Sequence, residues 1–452
     1  MADSTAGSTE DSIGDSTVDS PADVVAVCAD LIRFDTTNRG GGDAEGERDA
    51  AEYVAEFLGR HGVAAEIVEA APGRATVLAR IPGTDPRLPG LLVQGHLDVV
   101  PADAADWSVP PFSGEVRDGF LWGRGAVDMK DFCAMVLTAV ASGLRPRRDL
   151  VLAFVADEED RGDFGAHWLV ETHPEYFEGC VAAISESGGY TCHVPAADGR
   201  AVRLYPVGTA ERGTAHLRLT ARGRAGHGSR PNDENAVTML AGAVQRIAAH
   251  RWPVRLTPAV RAFLERTGAA LGVPVELSSG EAVDATVARL GPAGSLVVPT
   301  LRNSTTPTML SAGYKVNVIP STATAQVDVR VLPGAEEELF AELDGLLGPG
   351  VGREFVAHQP PVQAPVDSPW FDAMAAALQA EDPGAVVVPY CLGGGTDAKA
   401  FSKLGLACYG FAPLWLPPGF PYRTLAHGVD ERVPVEGLRF GTRVLNRFLE
   451  SC

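Results

Sequence analysis

Residues 91–100 read LLVQGHLDVV and residues 150–159 read LVLAFVADEE. Both are largely apolar until their last positions, where His96, Asp98, Asp157, Glu158 and Glu159 collect. A strand with one wet face alternates apolar and polar residues, whereas consecutive apolar residues require cover on both faces. Residues 181–186, VAAISE, repeat the pattern and end on Glu186. Three such strands predict a central sheet covered by helices, an α/β fold. The stretch MKDFCAMVLTAVASGL (129–144) supplies a strong helix between two of them. Helical spacing also marks 21–34, through Val24, Val27, Cys28 and Leu31, and 48–61, through Ala51, Val54 and Leu58.

The pattern changes after about residue 206. Residues 214–223, TAHLRLTARG, and 322–332, TATAQVDVRVL, alternate with period two, the mark of a sheet with one exposed face. A helix over 235–249 follows the first of them, and 253–300 is broken by Pro and Gly. From the hinge VLPG (331–334) onward, helix and strand alternate again, with strands at 386–389 and 405–412 and a closing helix at 435–450. The expected architecture is therefore an α/β/α catalytic domain in two pieces, 21–206 and 334–452, carrying an inserted α+β lid or dimerisation domain at 207–333.

The chain has 452 residues, too many for one core, and 38 basic against 58 acidic side chains give a net charge of −20. That charge excludes nucleic acid and anionic membrane surfaces as natural partners, because both demand clustered Lys and Arg. No apolar run reaches the ~18–20 residues of a membrane helix. The first 20 residues, rich in Ser, Thr, Asp and Gly without Lys or Arg, read as a disordered acidic leader and not a secretory signal. The seven scattered cysteines contain no CxxC pair, so reduced thiols and a cytoplasmic location are expected.

Strand ends are the usual ligand edge of an open α/β sheet. His96 and Asp98 are two apart and share a strand face, so Asp98 could hold one ring nitrogen and leave the other for a metal. Asp128 precedes the 129–144 helix, where it could cap the helix or bridge two cations. Glu158 and Glu159 would point to opposite faces of a regular strand, so both serve one site only if the strand breaks there; Gly162 close by favours a break. The natural division is one ligand and one general base. Glu186 ends a strand, and His427 lies in the loop AHGVDER before the last helix. Singly, each residue fits a structural role. Together, two imidazoles and four carboxylates suit a paired Zn²⁺ site of a hydrolase.

In order along the chain stand GHLDVVP, WGRGAVDMK, DEE, ISESGG, GRAGHGSRPNDENAV, VNVIP and HGVDERVPV. This series resembles the dinuclear zinc peptidase and deacylase family of acetylornithine deacetylase, succinyl-diaminopimelate desuccinylase, aminoacylase, glutamate carboxypeptidase and carboxypeptidase S. The resemblance covers about residues 25–450. It implies that Asp128 bridges two zinc ions, that His96 and Glu186 complete one, and that Glu159 and His427 complete the other. It implies Glu158 as the base that activates the attacking water, with Asp98 orienting His96. His227, in Gly226-His227-Gly228-Ser229, matches a lid histidine that stabilises the oxyanion, often across a dimer. Asn303, Asn317 and Arg330 match lid segments facing substrate, and Arg330 suits a substrate carboxylate. Gly393-Gly394-Gly395-Thr396-Asp397 resembles the family's glycine-rich loop near the second metal and lacks the Gly-Lys-Ser/Thr ending of a phosphate loop.

The function expected is metal-dependent hydrolysis of an amide bond beside an amino-acid carboxylate, of carboxypeptidase or dipeptidase type. A small-molecule N-acyl-amino-acid deacylase of acetylornithine deacetylase type is the alternative. Two Zn²⁺ are the expected cofactors, with Co²⁺ or Mn²⁺ admitted by the same donor set. A small molecule or short peptide is the expected substrate, and the lid sheet offers an edge for a homodimer.

Overall fold

A computed structural model describes residues 22–452; the leader expected at 1–20 lies outside the described residues. A ten-stranded mixed sheet forms the centre. Strand Gly90–His96 pairs in parallel with Leu150–Val155 on one side and with Cys180–Ser185 on the other. Ala407–Gly410 continues the parallel run beyond Cys180–Ser185. The antiparallel strands Arg74–Ile81 and Ala65–Ala71 close one edge. Toward the other edge, Ala201–Glu211 pairs in parallel with Ala385–Leu392.

The apolar runs do what their composition requires. Leu91 and Val93 enter one core cluster with helices Val24–Ile32, Lys130–Ala141 and Val435–Ser451. Leu92, between them, enters the opposite cluster with Leu169, Phe177 and Phe401. The sheet is therefore buried on both faces, and each Leu or Val side chain so buried contributes ~1.5–3 kcal/mol.

A second, four-stranded antiparallel sheet runs in the order Ser304–Ala312, Thr322–Val331, Gly213–Arg222, Val351–Gln359. Ala215, Leu217, Leu219 and Ala221 are buried beneath helices Ala236–Ala249 and Glu336–Leu347, while His216 and Arg218 between them are exposed. Its extent differs from the stretch 207–333 marked out by sequence. Residues 207–211 pair within the central sheet, and Val351–Gln359 pairs with the outer one. The chain rejoins the central sheet at Val362–Gln363, which pairs with Ala201–Glu211. The hinge-like VLPG misleads because the helix after it, Glu336–Leu347, packs on the outer sheet through Leu339 and Leu343. The stretch 253–300 holds helices Pro258–Leu271 and Gly280–Arg289, which pack against Val202, Leu204 and Val388 of the central sheet.

Candidate metal centre and active site

Parallel pairing delivers the chemistry to one edge. His96 lies opposite Val155 in the register, so His96 and the acids just past Val155 leave the sheet together. Cys180–Ser185 runs alongside in the same direction, and Glu186 emerges beside them. Asp128 does not cap the helix Lys130–Ala141, whose N-cap is Met129. Its carboxylate instead lies between two imidazoles, 3.2 Å from His96 Nε2 and 3.2 Å from His427 Nε2.

Two ligand groups result, His96–Asp128–Glu186 and Asp128–Glu159–His427, and within each the candidate atoms lie within 4.8 Å of one another. Asp128 belongs to both. His96 Nδ1 contacts the Asp98 carbonyl at 2.9 Å, nearer than the Asp98 carboxylate at 3.5 Å. That contact turns Nε2 toward Asp128 and the cluster, the nitrogen that would offer its lone pair to a cation once its proton is displaced. The Asp98 carboxylate accepts from the backbone N–H groups of Glu158 and Glu159, both at 3.1 Å, and from Asn38 Nδ2 at 2.9 Å.

The strand breaks where two adjacent acids need it to. Asp157 has φ 68°, a left-handed conformation that Asp tolerates better than most residues. Its carboxylate is committed to the scaffold, accepting from Arg74 at 2.8 Å, Asn38 at 3.0 Å and the Phe164 N–H at 3.0 Å. Arg74 in turn holds the fully buried Glu47. Glu158 and Glu159 are thereby turned toward the cluster; Glu158 stands 4.0 Å from His96 Nε2 and Glu159 2.9 Å from His427 Nε2. The loop bearing His427 is tied to the segment before Asp128 by buried Glu431, which accepts from Arg124 at 2.5 Å and from the Val127 N–H at 2.8 Å.

Burial pushes the carboxyls of Glu158 and Glu186 well above the usual range, and neighbouring acids push the same way. Burial also raises Glu159, against the hydrogen bond from His427. Asp128 resists burial and stays low because His427 and His96 both hydrogen-bond to it. Hydrogen bonds to Asp128 and Glu159 raise His427 to about 10. So many buried acids are costly without compensating cations. Glu159 Oε1 is buried without a hydrogen-bond partner, an acceptor left for something else. A carboxylate–imidazole donor set with one shared carboxylate fits a pair of divalent cations.

Arg330 reaches the same neighbourhood. A cavity of about 620 Å³ is lined by Glu158, His216, Arg330, His358, Thr396 and Asp397 among others. Its guanidinium is paired with Asp328 at 2.8 Å and donates to Thr214 at 3.0 Å. His227, Asn303 and Asn317 are not brought to the acids of their own chain. His227 is exposed on the short strand Gly226–His227, its Nδ1 2.8 Å from Ser229 Oγ. The Asn303 side chain accepts from the Leu332 N–H at 2.8 Å, a tie inside the fold. Asn317 is exposed, and its carbonyl accepts from the Gly228 N–H at 2.9 Å.

Several contributors escaped the sequence reading. Asn38, which clamps both Asp98 and Asp157, begins the short strand Asn38–Gly40 and carries no local signal. Buried Glu211 accepts from Thr396 Oγ1 at 2.6 Å and from Lys399 Nζ at 3.3 Å, holding the glycine-rich loop beside the site. Asp397, in that loop, is buried with Oδ2 unpartnered, and burial raises it to about 8. The Gly393–Asp397 motif had marked this loop, and a Lys inside the run 398–401, AKAF, was a further hint of a buried charge nearby.

Fold and cluster together define a metal-dependent hydrolase. The chain belongs to peptidase family M20/M25/M40, whose profile matches residues 92–451. It is 28% identical over 405 residues to the N-fatty-acyl-amino acid synthase/hydrolase PM20D1 of Xenopus tropicalis, covering 86% of this chain and 78% of that one. It is 27% identical over 368 residues to a probable carboxypeptidase S-like 2 of Dictyostelium discoideum, covering 79% and 70%. Its fold is similar to that of the M20 family metallo-carboxypeptidase Sso-CP2 from Sulfolobus solfataricus, with TM-score 0.67, 19% identity and coverage of 95% and 98%. The chain is a hydrolase of amide bonds that depends on metal. No helix among the described residues is long and apolar enough to cross a membrane, and all seven cysteines are free.

Proposed function

We propose that this hydrolase cleaves the amide bond between an acyl or aminoacyl group and an amino acid with a free carboxylate. The observation that carries the reading is Arg330 and Glu158 lining one cavity, a cation for the carboxylate beside the base for the reaction. One ion would be held by His96, Asp128 and Glu186, the other by Asp128, Glu159 and His427, with Zn²⁺ the natural choice and Co²⁺ or Mn²⁺ accepted. Such ions supply Lewis acidity and make water acidic near neutral pH.

Glu158 takes a proton from water as its oxygen adds to the amide carbonyl carbon. The C–N bond then breaks, and Glu158 returns the proton to the departing nitrogen, so the products are a carboxylic acid and an amine. Asp98 acts indirectly, pinning the backbone of Glu158 and Glu159. Arg330 aligns the carboxylate by a charge-assisted bond. The same cluster serves a carboxypeptidase, a dipeptidase or an N-acyl-amino-acid deacylase. The relative named for N-fatty-acyl-amino acids and a tyrosine-lined pocket beside Glu186 favour the deacylase arm.

The outer sheet, with helices Ala236–Ala249 and Glu336–Leu347, serves in this reading as lid and dimerisation domain. Its edge strand Ser304–Ala312 exposes Met309 and Leu310, at 61% and 66%, and the following turn exposes Tyr314 and Val316. An apolar edge of this kind suits a symmetric partner, whose His227 would then reach the site to hold the developing oxyanion. The free thiols accord with a cytoplasmic protein.

The deciding experiment is Glu158→Ala. Metal content measured by elemental analysis should be retained, while hydrolysis of N-acyl amino acids and dipeptides falls by about 10²–10⁴-fold. Retained activity would overturn the assignment of the base.

A further inference from the structure

A second pocket of about 260 Å³ adjoins the cluster on the side of Asp128 and Glu186, whereas the cavity holding Arg330 adjoins Glu158. Tyr190, Tyr390, Leu392, Tyr422 and Ala412 line it. Tyr190 and Tyr422 pack ring to ring, centroids 4.6 Å apart, and Tyr190 and Tyr390 are each only 5% exposed. These walls come from four separate segments that the core holds in place, so the pocket is built before anything binds.

Its charges argue against an ionic occupant. Asp131 lines the pocket, buried, with neither carboxylate oxygen hydrogen-bonded. Arg423 stands at the exposed rim with no ion-pair partner among the described residues. A cation entering would meet Arg423 at the rim, and deeper in the pocket no cationic side chain among the described residues lines the wall to hold an anion. An uncharged apolar group offends neither and covers the tyrosine faces.

We infer that this pocket seats the acyl fragment, and that the preferred substrates carry an aliphatic or aromatic acyl group of about eight non-hydrogen atoms. At about 30 Å³ per water-sized group, the volume holds about eight or nine of them. This rests on the amide-hydrolase reading and deepens it. The amino-acid half lies in the basic cavity with Arg330, the acyl half among the tyrosines, and the scissile bond between them across the cluster.

The test compares kcat/KM of the metal-loaded enzyme on acetyl, butanoyl, hexanoyl, octanoyl, succinyl and lysyl derivatives of one amino acid. The value should climb from acetyl to octanoyl by at least tenfold; a fully buried methylene group corresponds to about fourfold. Leu392→Trp, which fills the pocket, should lower the octanoyl value at least tenfold and the acetyl value less than about twofold. A flat acyl series, faster succinyl or lysyl turnover, or an equal loss on all substrates with Leu392→Trp would overturn the inference. Binding of the uncharged amides butanamide, hexanamide and octanamide, measured by calorimetry, tests the pocket without catalysis. Tightening with chain length supports it even if no amide is cleaved, in which case the hydrolase reading fails alone; length-independent binding overturns it.

Discussion

At the level of single residues the site is an arrangement of obligations. Asp157 is spent on Arg74 and Asn38, Asp98 on two backbone N–H groups, and Glu431 on Arg124, which leaves Glu158, Glu159 and Glu186 for chemistry. His427 gives the sharpest consequence. Hydrogen bonds to Asp128 and Glu159 raise its pKa to about 10 in the metal-free chain, so it carries a proton at neutral pH. A metal ion needs the neutral imidazole, so binding must expel that proton. Affinity should therefore rise with pH, by about tenfold per unit for each proton displaced, throughout the range below the raised pKa. Metal titration at pH 6, 7 and 8 checks the slope, and calorimetry in buffers of different ionisation enthalpy counts the protons. A second expectation concerns Asp98. Asp98→Ala unpins the Glu158–Glu159 backbone and should weaken metal binding by about 10–100-fold while leaving the fold intact by circular dichroism.

At the level of elements, the spacing of the site depends on how closely three strand ends approach. A Cβ on Gly410 would lie 2.6 Å from the Glu186 carbonyl oxygen and 2.8 Å from that of Ser187. Gly410 ends strand Ala407–Gly410, and only a bare backbone lets it pass that close to the segment bearing Glu186. Gly410→Ala should cost about 1–3 kcal/mol in denaturant unfolding. It should also displace Glu186, so that, with Glu186 a ligand as proposed, metal stoichiometry or affinity falls when measured. Continuous apolar strands were legible because burial on both faces leaves no polar position to disguise them, as Leu91, Leu92 and Val93 demonstrate. Strand Val351–Gln359 and helix Pro258–Leu271 were not legible. Their ambiguous patterns acquire meaning only from the surfaces they meet.

At the level of the whole molecule, His227 is the informative residue, because its own chain does not carry it to the acids. If a partner supplies it, neither Glu158→Ala nor His227→Ala is active alone, yet their mixture should recover activity. Random reassortment would make half the dimers hybrid with one intact site of two, about a quarter of the native rate. Kinetics on mixed and reannealed subunits, with sedimentation to establish the dimer, decide it; no recovery would assign His227 a role within one chain or none.

The sequence by itself determined which residues would cluster. Buried parallel strands have one ligand edge, and the five candidate metal ligands, with Glu158 beside them, stood at strand ends or in the loops that face that edge. The tertiary structure alone decided how they are held and where the outer sheet ends. Asn38, Arg74, Glu211 and Lys399 act across contacts 60 to 188 residues apart, and such pairing leaves no periodicity in a chain. Likewise Asn303 and Arg330 read alike as polar lid residues. Only packing, which turned one toward the Leu332 amide and the other toward the cavity of Glu158, separated a scaffold tie from a candidate substrate contact.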